Sequence, residues 1–150
     1  MIVIGVGNRS CGDDAVGIRV VERLRGSVTC YESDGDPSEL IVLLGSDPDV
    51  IVVDAMASGS RPGTITTIEI ASGSPPSTVV PLRSHRSTHG FGVFEALELA
   101  RILGTIPARL TVIGIEGLDF SPGAGLSPAI ERAVAEAADL ILVLAAKEKV

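Results

Sequence analysis

A few ionisable side chains, distant from one another in the sequence, are candidates for acid–base or metal chemistry. Asp13 and Asp14 end a glycine-rich segment, Asp54 follows an apolar run, and His89 is one of only two histidines. Carboxylate oxygens together with an imidazole can bind a divalent cation and leave coordination positions open, and imidazole suits nickel, zinc, copper or iron. These residue types therefore indicate a metal site or a proton-transfer site, but they do not name the metal.

The segment that carries the two adjacent aspartates has the glycines of a phosphate-binding turn but an acidic charge. Residues 5–17 read GVGNRSCGDDAVG and lie between a predicted strand and a predicted helix. Backbone N–H groups at the start of a helix attract anions, whereas two neighbouring carboxylates repel a phosphate. Neighbouring helix residues do not face one another, so we expect one aspartate to cap the helix and the other to point into a cleft. The alternative is that both are first-turn acids that stabilise the helix dipole.

Apolar runs and amphipathic stretches alternate along the chain. Strands are predicted at residues 2–6, 28–32, 50–53, 64–70 and 110–115, and helices at residues 14–24, 38–44, about 89–103 and from 127 onwards. This alternation predicts an α/β sandwich with a largely parallel sheet. The run at 64–70 alternates apolar and polar residues and follows a Pro-Gly turn, which is typical of an edge strand.

The same topology brings the candidate residues to one edge of the sheet. Right-handed crossovers place the third strand beside the first, and open α/β sheets bind ligands at such a switch point. Asp14, Asp34 and Asp54 follow strands one, two and three at their carboxyl ends, and the helix that begins near His89 starts at the same edge. A buried carboxylate needs a partner, which favours a ligand or general-base role for Asp54 over that of a turn acid. A surface position in the first turn of the helix is the alternative for His89.

Length, charge and cysteine content limit the possible classes of protein. A chain of 150 residues predicts one domain over 1–150. The net charge of −7 argues against nucleic acid as a partner. The longest apolar run, 140–146, is far shorter than the ~20 residues of a membrane-spanning helix. No signal peptide is visible, and two cysteines make no disulfide framework, so a cytoplasmic location is expected.

Several blocks, taken in order, resemble the hydrogenase maturation proteases. These endopeptidases trim the C-terminal extension from the large subunit of nickel–iron hydrogenases. The blocks are GVGN and DDAVG within 5–17, VDA at 53–55 with PGT at 62–64, STH at 87–89, and TVIGI at 111–115 followed by GLSP at 125–128. The resemblance spans essentially the whole chain, although the glycine-rich block alone would be weak support.

The resemblance implies a fold and a set of site residues. The fold would be a three-layer α/β/α sandwich, phosphorylase/hydrolase-like, around a five-stranded mixed sheet in which 64–70 is antiparallel. The metal-binding residues would be Asp14, Asp54 and His89, and the two aspartates would be catalytic, as in an aspartic-type endopeptidase. The family often has Glu at the position of Asp14, and Asp36 departs from its glycine-rich turn. The implied substrate contacts are Asn8, Asp13, Asp34 and Gly35.

The resemblance also implies a function. Nickel belongs to the substrate, a large-subunit precursor, and the protease cuts off the C-terminal extension after nickel insertion, without a tightly bound organic cofactor. One acid would act as general base while the metal stabilises charge. A nickel-binding chaperone or checkpoint protein without peptidase activity is one alternative. A phosphorylase- or nucleosidase-like enzyme is another, but Arg9 and residues 83–86 are its only candidate phosphate-binding cations. A purely structural α/β domain is the third.

Overall fold

A computed structural model describes residues 1–75 and 92–148 of the chain. Within those ranges the strands are β1 (Ile2–Val6), β2 (Thr29–Ser33), β3 (Asp49–Met56), β4 (Ile65–Ile70) and β5 (Arg109–Glu116). A short 3-10 turn (Gly12–Ala15) precedes the first helix, and the helices are α1 (Val16–Leu24), α2 (Pro37–Leu44), α3 (Val93–Leu103) and α4 (Pro128–Glu148).

The strands form one sheet in the order β2-β1-β3-β5-β4, in which β4 is antiparallel to β5 and the other pairs are parallel. This confirms the mixed, mostly parallel five-stranded sheet and the antiparallel edge strand. β1 and β3 are neighbours, with Gly5 opposite Val53, so the switch point lies where the topology predicted it. Asp54 lies inside β3 and pairs with Gly114 of β5, whereas the prediction ended this strand at residue 53, three residues before Met56.

The helices cover both faces of the sheet, which makes the three layers. On one face, Val50 and Val52 of β3 pack with buried residues of α2 and α3. On the other face, Ile51 and Val53 pack with buried residues of α1 and α4. Because side chains alternate along a strand, Asp54 lies on the α2/α3 face. α3 leads into the amino end of β5, so its own first residues lie towards the carboxyl edge of the sheet.

The start of α1 lies directly on the ends of the central strands because glycines allow the backbones to touch. A Cβ atom on Gly17 would lie 2.3 Å from the carbonyl oxygen of Val53 and 2.5 Å from that of Val6. Gly7 has a φ of 153°, and a Cβ there would lie 1.9 Å from the carbonyl oxygen of Asp14. No residue with a side chain fits at either position, so these glycines set the distance between α1 and the sheet.

Replacement of Gly17 by alanine is expected to destabilise the fold. The added methyl group meets backbone oxygens, which cannot rotate away, so we expect the free energy of unfolding to fall by about 2 kcal/mol or more. Chemical denaturation measures it. Gly73→Ala is the control, because nothing lies within 4 Å of a Cβ at this exposed position. Equal stabilities of the two variants would contradict the proposed backbone contact.

Candidate active site

Asp14 stands at the end of the glycine-rich turn and is partly buried. Its backbone N–H donates to the carbonyl oxygen of Cys11 at 3.1 Å, and its Oδ2 accepts a hydrogen bond from the backbone N–H of Asn8 at 3.1 Å. The turn therefore folds back on itself and orients this carboxylate. The expected helix cap is absent at both aspartates, because neither the 3-10 turn nor α1 has a side-chain cap.

Asp54 lies across the switch point from Asp14, at the carboxyl end of the central strand. Its Oδ1 accepts a hydrogen bond from the N–H of Ala55 at 2.8 Å. Burial, followed by the negative charge of Asp14, raises the pKa of Asp54 to about 7, although the bond from Ala55 opposes the rise. The structure thus brings the two predicted carboxylates close enough to interact. A carboxyl group with a pKa near neutrality can both take and give a proton at pH 7.

Asp13 has a different place from the one predicted for it. Its side chain is fully buried, and its carboxylate accepts hydrogen bonds from Leu118 N–H, Asp119 N–H, Ser127 N–H and Ser127 Oγ–H. Burial alone would raise the pKa of Asp13, but the backbone N–H donors outweigh it and hold that pKa below its usual value. The carboxylate of Asp13 is thus inaccessible in this structure, and its predicted contact with substrate stays a prediction.

The other predicted substrate contacts lie beside an open groove of about 500 Å³. Asn8 and Asp34 line it and are exposed, whereas Gly35 is adjacent and donates its N–H to Ser33 Oγ at 3.2 Å. The departure at Asp36 has a local explanation, because its Oδ1 caps α2 by accepting from the N–H groups of Ser38 and Glu39. The complete lining is Gly7, Asn8, Arg9, Ile18, Glu32, Ser33, Asp34 and Glu39.

The charges around this groove do not favour a phosphate. Among the described residues that line it, Arg9 is the cation, and its guanidinium pairs with Glu22 and with Glu32, the latter at 2.7 Å. The ion pairs raise the pKa of Arg9, so its charge is already balanced by carboxylates. The other charged side chains among the described lining residues are the carboxylates of Glu32, Asp34 and Glu39, which suit a peptide or a cation better than an anion.

Comparisons with known proteins agree with this geometry. Residues 18–144 match the sequence model of a family described as hydrogenase maturation protease. This chain belongs to the hydrogenase maturation protease family. It is similar to the Hydrogenase 2 maturation protease of Escherichia coli K12, with 27% identity over 95% of this chain and 88% of that one. It is also similar to the hydrogenase expression/formation protein HupD of Rhizobium leguminosarum, with 31% identity over 92% of this chain and 69% of that one.

Solved structures of the family have the same fold. The hydrogenase maturating endopeptidase HybD from E. coli superposes with a TM-score of 0.79 at 26% identity, covering 98% of this chain and 92% of that one. A hydrogenase 2 maturation peptidase from a thaumarchaeon gives a TM-score of 0.69 at 28% identity, covering 95% of both chains. The chain is therefore an endopeptidase of hydrogenase maturation, with the α/β fold of that family.

The protease has a further buried carboxylate at the same edge, which the sequence analysis did not single out. Glu116 is buried at the end of β5, where it accepts hydrogen bonds from Ser58 Oγ–H at 2.8 Å and Gly59 N–H at 2.9 Å. It holds the connection that follows β3. Its position after the apolar run of β5 was the available signal, since Asp54 was found in the same way.

The third predicted metal ligand, His89, lies outside the described residues, as does His85. Within residues 1–75 and 92–148, no group of three or more His, Cys, Asp or Glu side chains is arranged to hold a metal ion. In the same ranges, no helix is long and apolar enough to cross a bilayer.

The raised pKa of Asp54 predicts a pH dependence of the protease's stability. Between about pH 4 and pH 7 the native state holds a proton that the unfolded state has lost, so stability falls as pH rises through this range and levels off above it. Asp54→Asn removes this pH-dependent contribution. At pH 8 we expect the free energy of unfolding of the variant to exceed that of the wild type by on the order of 1–3 kcal/mol. The difference should vanish towards pH 4.

Urea denaturation of both proteins at a series of pH values measures the effect. Asp36→Asn is the matched control, because it makes the same change from aspartate to amide at an exposed position, and asparagine caps a helix as well as aspartate does. Its stability curve should run parallel to the wild-type curve. If the Asp54→Asn curve were parallel as well, Asp54 would titrate normally.

Proposed function

We propose that this protease removes the C-terminal extension of a nickel–iron hydrogenase large-subunit precursor after nickel has been inserted. The observation that carries the proposal is the pair of neighbouring carboxylates, Asp14 and Asp54, at the switch point of the sheet. Family membership supports the reaction class, and the names of the relatives given above refer to hydrogenases.

Nickel is the substrate's own ion in this proposal. Two carboxylates that interact unfavourably across a cleft gain most from a cation placed between them. A precursor that already carries nickel supplies that cation with its remaining ligands, whereas an empty precursor does not. His89 is the third residue proposed to face the ion. The incomplete set of protein ligands thus makes recognition depend on loading of the substrate.

The chemistry is hydrolysis of one peptide bond near the anchored nickel. One of the two carboxylates accepts a proton from a water molecule while the oxygen of that water attacks the peptide carbonyl carbon. The C–N bond then breaks, and the resulting carboxylic acid returns its proton to the departing amine nitrogen. The N–H of Asn8 holds the Asp14 carboxylate in place throughout. The groove beside Asn8 and Asp34 accommodates the polypeptide next to the cleavage point.

A cleavage assay with detection by mass spectrometry tests the proposal. The protease is incubated with a nickel–iron hydrogenase large-subunit precursor from the same source, in nickel-loaded and nickel-free forms. Release of a C-terminal peptide from the loaded form only is the expected result. Nickel-dependent association without any change of mass would instead favour the chaperone. Equal cleavage of both forms would contradict recognition through nickel.

Asp14→Asn and Asp54→Asn should each lower kcat/KM for the loaded precursor by at least about 100-fold, since a positioned acid or base contributes 10²–10⁴-fold. The amide has nearly the same size but cannot take the proton or neutralise a cation. Rates of peptide release by quantitative mass spectrometry measure this. Asp36→Asn is the control and should cleave at the wild-type rate. Wild-type turnover of either site variant would remove that residue from the catalytic assignment.

A further inference from the structure

The turn that carries Asp14 is joined to a segment more than one hundred residues further along the chain. This segment, residues 117–127, connects β5 to α4 and is called the β5–α4 connection below. Asp13 N–H donates to the carbonyl oxygen of Asp119 at 2.8 Å, and Gly123 N–H donates to the carbonyl oxygen of Ser10 at 2.7 Å. Backbone bonds therefore attach the turn to the connection at two separate points.

The carboxylate of Asp13 makes the third and densest attachment. Its Oδ1 accepts from Ser127 N–H at 2.7 Å, and its Oδ2 accepts from Leu118 N–H at 2.8 Å, Asp119 N–H at 2.9 Å and Ser127 Oγ–H at 2.8 Å. One side chain thus joins both ends of the β5–α4 connection. Hydrogen bonds that a carboxylate accepts are stronger than bonds between neutral groups.

The turn that carries Asp14 and the β5–α4 connection also pack too closely for the turn to shift. Gly12 has a φ of 58°, and a Cβ there would lie 2.2 Å from the carbonyl oxygen of Asp119. A Cβ on Gly117 would lie 3.1 Å from the Cβ of Asp13 and 2.5 Å from Cζ of Phe120. Glycines on both sides therefore let the backbones meet, as they do where α1 meets the sheet.

We propose that Asp13 is a positioning residue, which fixes the backbone of Asp14 through the β5–α4 connection and so holds the Asp14 carboxylate against Asp54. The two aspartates share a peptide bond, so an anchored Asp13 leaves Asp14 little freedom of φ and ψ. The inference rests on the proposed function for its catalytic consequence, but its structural part stands without it.

Cleavage kinetics test the catalytic consequence. In Asp13→Asn a single amide oxygen replaces the two carboxylate oxygens that accept from residues 118, 119 and 127 in the wild type. We therefore expect kcat for the nickel-loaded precursor to fall on the order of 10- to 100-fold while KM stays nearly unchanged. Ser127→Ala removes only the hydroxyl bond to Oδ2 and should lower kcat less. Ser127→Thr keeps that hydroxyl and should restore kcat. These milder variants keep the test valid if Asp13→Asn fails to fold.

Hydrogen–deuterium exchange of the free protease tests the structural part without any substrate. In Asp13→Asn and Ser127→Ala, backbone amides of residues 8–15 and 117–127 should exchange faster, while those of β2 and α2 keep wild-type rates. Glu116→Gln is the matched control, because it alters a buried carboxylate that anchors residues 58 and 59 instead. It should leave exchange at residues 8–15 unchanged.

The two measurements separate the possible failures. If the wild type cleaves nothing, the proposed function fails, and the exchange result alone decides whether Asp13 positions the turn. If the wild type cleaves and Asp13→Asn matches Glu116→Gln in kcat, the positioning role is wrong. Unchanged exchange at residues 8–15 in folded Asp13→Asn and Ser127→Ala would also overturn it.

Discussion

The site depends on the direct contact between the backbone at the start of α1 and the carboxyl ends of β1 and β3. Gly17 lies against the carbonyl oxygens of Val6 and Val53, and Gly7 lies against that of Asp14. A helix separated from the sheet by ordinary side chains would stand several ångströms further away. The contact therefore lets Asp14, just before α1, act on the pKa of Asp54 on the central strand.

Two carboxylates, Asp13 and Asp54, show how surroundings decide what an aspartate can do. Asp13 is buried and Asp54 is partly buried, and in both cases burial by itself acts to raise the pKa. Asp13 meets three backbone N–H groups and a hydroxyl, so the charged form is favoured and the residue becomes an anchor. Asp54 meets one N–H and a second carboxylate, so the charged form is disfavoured until a cation or a proton arrives. The surroundings of Asp13 stabilise the fold, whereas those of Asp54 suit proton transfer or cation binding.

Much of the fold, and the pairing of Asp14 with Asp54, could be predicted from the sequence because both follow from short-range patterns. Alternation of strands and helices fixes the sheet and its switch point, and that is enough to place Asp14 and Asp54 together. The role of Asp13 could not be found this way, because its hydrogen-bond partners lie more than one hundred residues away and are mostly backbone N–H groups. Local rules favoured a helix cap instead. His89 stays a prediction, since it lies outside the described residues.

In the proposed function, Asp14 and Asp54 meet the nickel of the loaded precursor. Nickel X-ray absorption of the precursor, alone and in complex with the cleavage-deficient Asp54→Asn protease, tests this most directly, because the amide oxygen still offers a ligand while turnover is blocked. We expect additional oxygen ligands in the nickel coordination shell when the complex forms. These ligands should be absent from the complex with an Asp14→Ala/Asp54→Ala protease that still binds. An unchanged nickel shell in a complex shown to have formed would contradict it.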